Sequence, residues 1–162
     1  MKKMIQAAVS LCTLAISGIA AGACNVDISQ LLYRAEQGDV RAQGDLAAEY
    51  FKGACVAKDY YEAVKWANKA AMRGDPSGQI ILGMAYLGGE GGVPRSEYEA
   101  FTLWSRAAEQ GAPFGQFLVG QAYLHGFGVA QDYDESMKWT RRSCNNGFSE
   151  ACRLVRENLG RR

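Results

Sequence analysis

The residues able to do chemistry are few. The chain of 162 residues holds one histidine, His125, and five cysteines. Three glutamates, Glu62, Glu99 and Glu135, recur at near-constant spacing, as a set of general acids or bases could. Each, however, follows an Asp or Ser by three residues (Asp59, Ser96, Asp132), which is the spacing of a helix capping box. His125 stands before Gly126 and reads as a helix-end side chain. The cysteines and His125 lack metal-ligand spacing, and C-x2-C is missing from the sequence. The glycine run Gly88–Gly92 is not followed by the Lys-Ser/Thr of a phosphate-binding loop. There is no G-x-S-x-G, and no serine has a lysine three residues on. The sequence thus assigns no catalytic residue, no metal and no cofactor.

The elements around these residues form a pattern. Gly38, Gly74, Gly111 and Gly147 are spaced 36, 37 and 36 residues apart. After each of the first three come a small residue (Ala42, Gly78, Gly115), an aliphatic one (Leu46, Leu82, Val119) and a tyrosine (Tyr50, Tyr86, Tyr123), at steps of four. Such a stripe lies on one face of a helix, here named helix A. Asp39 and Asp75 stand where N-caps belong, and Pro76 and Pro113 occupy first-turn positions that need no N–H. A glycine-bearing connection such as Gly126-Phe127-Gly128-Val129 leads to a second helix, B, opened by Asp59, Ser96 or Asp132. Helix B carries Trp66, Leu103 or Trp139 and ends at the next glycine of the series. One helix pair cannot bury its apolar face alone, but stacked pairs can. The expectation is an all-α, right-handed α-solenoid.

The spacing resembles the Sel-1-like repeat, a relative of the tetratricopeptide repeat: Ala-x3-Leu-Gly-x2-Tyr-x2-Gly-x-Gly-Val, then a capped helix with Trp and a closing Ala-Ala-x-x-Gly. Three copies agree with it, at 42–74, 78–111 and 115–147. Cys55 departs from it at the second loop glycine, the middle loop is one residue longer, and Leu103 replaces the usual Trp beside Trp104. The organisation expected is a leader at 1–23, a half-repeat at 24–38, repeats at 39–74, 75–111 and 112–147, and a closing helix at 148–162.

Residues 1–23 read as a secretory signal peptide: Lys2 and Lys3, a mostly apolar run from Met4 to Ile19, then Ala21-Gly22-Ala23. Ser10, Thr13, Ser17 and Gly18 dilute the run and argue against a retained membrane anchor. Lipidation at Cys24 is the lesser alternative, because Ala21 stands where lipoprotein signals place Leu. Periplasmic or secreted location follows. Eighteen Lys+Arg against 17 Asp+Glu give no electrostatic case for nucleic acid. After cleavage four cysteines remain, an even number suited to an oxidising compartment. Cys144 ends the last helix B and Cys152 opens the closing helix A, so the tight turn between them favours a disulfide. Cys24 and Cys55 fall at one end of neighbouring repeats, which suggests a second.

By the resemblance, helix A lines a concave surface. Carried over by register, that groove contains Phe51; Ile80, Met84 and Leu87; and Phe114, Phe117, Gln121 and Leu124. The same register adds Arg41, Lys52, Ser77, His125, Glu150, Arg153 and Glu157 to the groove. These side chains either receive a protein or peptide or close on one another as core. Gln43, Gln79 and Gln116 are read as solvating the starts of helices A. The resemblance implies an exported adaptor or scaffold, with regulation of a sensor and neutralisation of a toxin as versions of that role. Its cysteine-rich branch implies, alternatively, binding or slow hydrolysis of β-lactams.

Overall fold

The computed structural model describes residues 26–159. The predicted leader and Cys24 lie outside the described residues. Eight helices, and no strand, occur among the described residues: α1 (Ile28–Glu36), α2 (Val40–Lys52), α3 (Tyr60–Ala71), α4 (Pro76–Gly88), α5 (Glu97–Glu109), α6 (Pro113–His125), α7 (Tyr133–Asn145) and α8 (Ser149–Leu159). Helices A are α2, α4, α6 and α8; helices B are α1, α3, α5 and α7. Each packs on its neighbours in sequence, and the product is a helical solenoid. The helix of the half-repeat begins at Ile28, where the carboxylate of Asp27 caps it by accepting from the Gln30 N–H at 3.1 Å.

Local chemistry sets most boundaries. Asp39 and Asp75 accept from the N–H groups of Ala42 and Gly78. Pro76 and Pro113 open α4 and α6, and Ala112 caps α6 with no side-chain bond. Asp59, Ser96 and Asp132 accept from the N–H groups of Glu62, Glu99 and Glu135. The reciprocal half of the expected capping box is supplied differently. The cap residues' own N–H groups donate to the carbonyls of Tyr50, Tyr86 and Tyr123, at 2.8–3.0 Å. The glutamates are thereby released: Glu62 accepts from Lys65 and from Trp66 Nε1, and Glu135 accepts from Lys138. The recurrent tyrosine therefore marks the place where the A–B connection is tied back to helix A.

The second and third repeats interlock at glycines that leave no room for a side chain. A Cβ on Gly91 would stand 2.2 Å from the Tyr60 carbonyl oxygen, and one on Gly128 would stand 2.1 Å from that of Glu97. These two connections thus rest on the start of the preceding helix B. The glutamine reading is corrected as well. Gln43 and Gln116 are buried, and their amides donate to Ala35 and Ala108 carbonyls at the ends of the preceding helices B. They close helix ends rather than solvate helix starts. Gln79 is buried too and accepts from Gln110, as Gln116 accepts from Asn146.

Leu46, Ala47, Val64, Ala67, Ile81 and Leu82 belong to a core that runs from Leu31 of α1 to Leu103 of α5. Trp104, Val119 and Ala122 belong to a second core between α5 and α6. Burying such side chains contributes about 1.5–3 kcal/mol for each large one. Cys144 and Cys152 are disulfide-bonded, with Cα atoms 4.5 Å apart, as expected.

Candidate partner-binding groove

The predicted groove residues sit in three environments. Ile80 is buried, and its carbonyl accepts from Trp104 Nε1 at 3.3 Å. Phe51, Met84 and Leu87 are half-buried and pack against the cores; Phe51 also meets Tyr60 edge to face at 5.1 Å. Phe114 and Phe117 form a three-ring cluster with Phe148 (centroids 5.0–6.3 Å apart), so both rings are largely spoken for. Phe148 stands where Asp39 and Asp75 cap their helices; α8 carries an aromatic plug in that place. Sequence reasoning missed this residue, although the break in the Asp series was its signal.

Gln121 and Leu124 are different. They line a half-open cleft of about 260 Å³, together with Tyr133, Ser136, Met137 and Thr140 of α7 and Leu154 and Glu157 of α8. The structure thus brings one predicted pair, Gln121 and Leu124, together with Glu157 at a true concavity. It leaves Arg41, Lys52 and His125 as exposed side chains along the same helices. Glu157 and Glu150 both pair with Arg153, which holds the Glu150 carboxyl below its usual range.

Register explains why the cleft lies here. Seven residues before the closing glycines of helices B stand Ala67, Trp104 and Thr140. Eleven before stand Ala63, Ala100 and Ser136; ten before, Val64, Phe101 and Met137. Trp104 is 2 % exposed and fills the junction of α4, α5 and α6. Thr140, at the corresponding place among α6, α7 and α8, turns its hydroxyl back to the Ser136 carbonyl at 2.8 Å. The helices A also part company along the chain. α2 packs broadly on α4, α4 touches α6 narrowly, and α6 scarcely meets α8.

Among the described residues there is no group of three acidic, histidine or cysteine side chains placed to hold a metal. Nor is any helix among them long and apolar enough to cross a membrane. Stacked helix pairs with half-buried apolar faces and a lateral cleft define a helical repeat scaffold.

The family follows from the match. The Sel1 repeat model matches at residues 40–75, 76–111 and 113–148, and the chain belongs to that family of helical repeat scaffolds, which typically mediate protein interactions. The chain is similar to a Sel1 repeat protein from Oxalobacter formigenes: 33% identity over 81% of this chain and 98% of that one, TM-score 0.65. It is similar to a protective antigen of uropathogenic Escherichia coli displaying an SLR fold: 35% identity over 79% of this chain, TM-score 0.69, though it spans only 27% of that longer chain. It shares its fold with the cysteine rich protein B of Helicobacter pylori, at 19% identity over 80% of this chain and 98% of that one, TM-score 0.63. No curated protein matches the chain.

Proposed function

We propose that this protein is an exported adaptor of the bacterial envelope that holds another protein or peptide along the inner face of its helices A. The observation that carries the reading is the cleft bounded by Gln121, Leu124, Leu154 and Glu157, where that face is left open between α6 and α8. A concave apolar floor with a polar rim suits a protein segment. The Cys144–Cys152 disulfide fits an oxidising compartment, and the protective-antigen relative fits exposure outside the cytoplasm. Whether the adaptor organises, restrains or neutralises its partner is decided by that partner.

The pairing of Cys24 with Cys55 is part of the proposal. Cys55 is disulfide-bonded. It takes the loop position of Gly91 and Gly128, which lie against Tyr60 and Glu97. Cys24 stands fourteen residues before Gly38, as Tyr60 and Glu97 stand before Gly74 and Gly111. Mass spectrometry of non-reduced, processed protein should find both pairings and an N-terminus at Cys24; an added lipid mass at Cys24 would favour the anchored form.

The functional test is affinity capture from the envelope fraction. Leu124→Asp should reduce recovery of the principal partner at least tenfold while helix content stays unchanged. Met84→Asp is a poor probe, because Met84 packs against both cores. Undiminished capture by folded Leu124→Asp, or turnover of nitrocefin by the purified protein, would overturn the reading.

A further inference from the structure

The fold contains its own guide to what the cleft can hold. In the junction of α4, α5 and α6, the space beside helix B is filled from within the chain by Trp104, whose Nε1–H donates to the carbonyl of Ile80. In the next junction the same register position is Thr140, and a cleft of about 260 Å³ stands open beside it on the α8 side. Leu154 and Glu157 occupy the places that Leu118 and Gln121 hold one repeat earlier, seven and ten residues after the turn glycine. Leu124 and Leu154 correspond to Leu87 and Leu118 of the earlier junction, and Thr140 stands where Trp104 supplies a ring.

The geometry points to this cleft as a docking site for an aromatic side chain, an indole foremost, presented by the partner protein. Leu124, Met137 and Leu154 offer an apolar floor. Gln121 and Glu157 at the rim offer acceptors for an indole N–H, the service that the Ile80 carbonyl gives Trp104. Size agrees: a dry cavity of about 150 Å³ already admits benzene. The incoming ring adds to the packing among α6, α7 and α8. A leucine would fill the floor without answering the rim, and a lysine would meet an apolar floor.

This inference rests on the adaptor reading and deepens it. The test needs no partner. The oxidised full chain, with methyl-labelled methionine and leucine, is titrated with N-acetyltryptophanamide and, in parallel, with N-acetylleucinamide. Saturable shifts are expected at the methyl groups of Met137, Leu124 and Leu154 for the tryptophan amide, with at least fivefold weaker affinity for the leucine amide. Thr140→Trp places the ring in the cleft from within and should abolish the response. Leu154→Glu should do so without filling the space, which keeps the test decisive if the first variant does not fold. Absent or unsaturable shifts, equal response to both amides, or a wild-type response from a folded variant would overturn the proposal. So would shifts that follow protein concentration without added amide, which would identify a second copy as the occupant. Capture of a partner alongside a silent amide titration would count against the aromatic site alone. A clear amide response without a captured partner would count against the adaptor reading alone.

Discussion

The junction of α4, α5 and α6 and the junction of α6, α7 and α8 are built on one plan and reach opposite ends. In the first, Ala100, Trp104 and Ala107 face inward from the helix B, and the space is closed. In the second, Ser136, Thr140 and Ser143 hold the same places; Ser143 donates to the Pro113 carbonyl at 2.7 Å, and Thr140 bonds within its own helix. Hydroxyls satisfied by nearby carbonyls cost little to bury but fill little volume. The lesson is that a repeat can trade packing for concavity by changing two or three side chains without altering backbone register. The covalent link at Cys144–Cys152 stands beside the junction with the thinner core.

Four perturbations test this contrast. The largest effect is expected at Trp104. Trp104→Ala should destabilise by about 3–5 kcal/mol, whereas Thr140→Ala, at the equivalent place, should cost about 1 kcal/mol; denaturant unfolding of both variants checks the pair. Equal costs would mean that the two junctions are packed alike. Next is the disulfide. Replacing Cys144 and Cys152 with Ser should cost roughly 2 kcal/mol through the short loop it closes. The loss should appear first as faster amide exchange in α8, with α2 to α5 unaffected.

Third come the two glycines that face these positions. A Cβ on Gly83 would sit 2.5 Å from Trp104 Nε1, and one on Gly120 would sit 2.7 Å from Thr140 Oγ1. Gly83→Ala should cost about 2–3 kcal/mol, because the indole has nowhere to go. Gly120→Ala should cost about 1 kcal/mol or less, because the threonine can turn towards the cleft. Thermal unfolding of the two variants should separate them by several degrees.

The smallest effect separates two N-caps in the closed half. The Ala42 N–H and then Arg34 lower the Asp39 carboxyl, whereas burial raises that of Asp75, with Asp45 adding to the rise. The stability due to Asp39 is present above its unfolded pKa and is lost as pH falls below about 3.8. For Asp75 the sign reverses: its contribution is present below 3.8 and is lost as pH rises through the elevated folded value. Asp39→Asn should therefore destabilise at neutral pH and become neutral in acid. Asp75→Asn should be neutral or slightly stabilising at pH 7 and lose that advantage in acid. Melting temperatures of both variants from pH 2.5 to 7 check this.

Much of the molecule was legible because helix ends announce themselves. Turn glycines, Asp39, Asp75, Pro76 and Pro113 gave boundaries that tertiary packing did not move. The Cys144–Cys152 pairing was legible because both ends of one turn are fixed by the repeat. The half-formed capping boxes were not, since Glu62 and Glu135 are chemically fit for either role and only the Tyr carbonyls decide between them. Nor was the division of the groove. Leu87 and Leu124 share register and apolar character, yet what each meets depends on the helix B that follows it and on the next helix A. Trp104 beside Leu103 looked like a one-residue shift of an expected tryptophan. Its meaning emerges only when the facing glycine, Gly83, and the equivalent Thr140 are placed in space.

The bridge between Cys144 and Cys152 has one more consequence. Two walls of the cleft belong to α7 and α8, and the covalent tie joins those helices at their shared end. The opening behaves as a jaw whose hinge is sulfur. Reducing that bond would leave the same residues on a looser mandible.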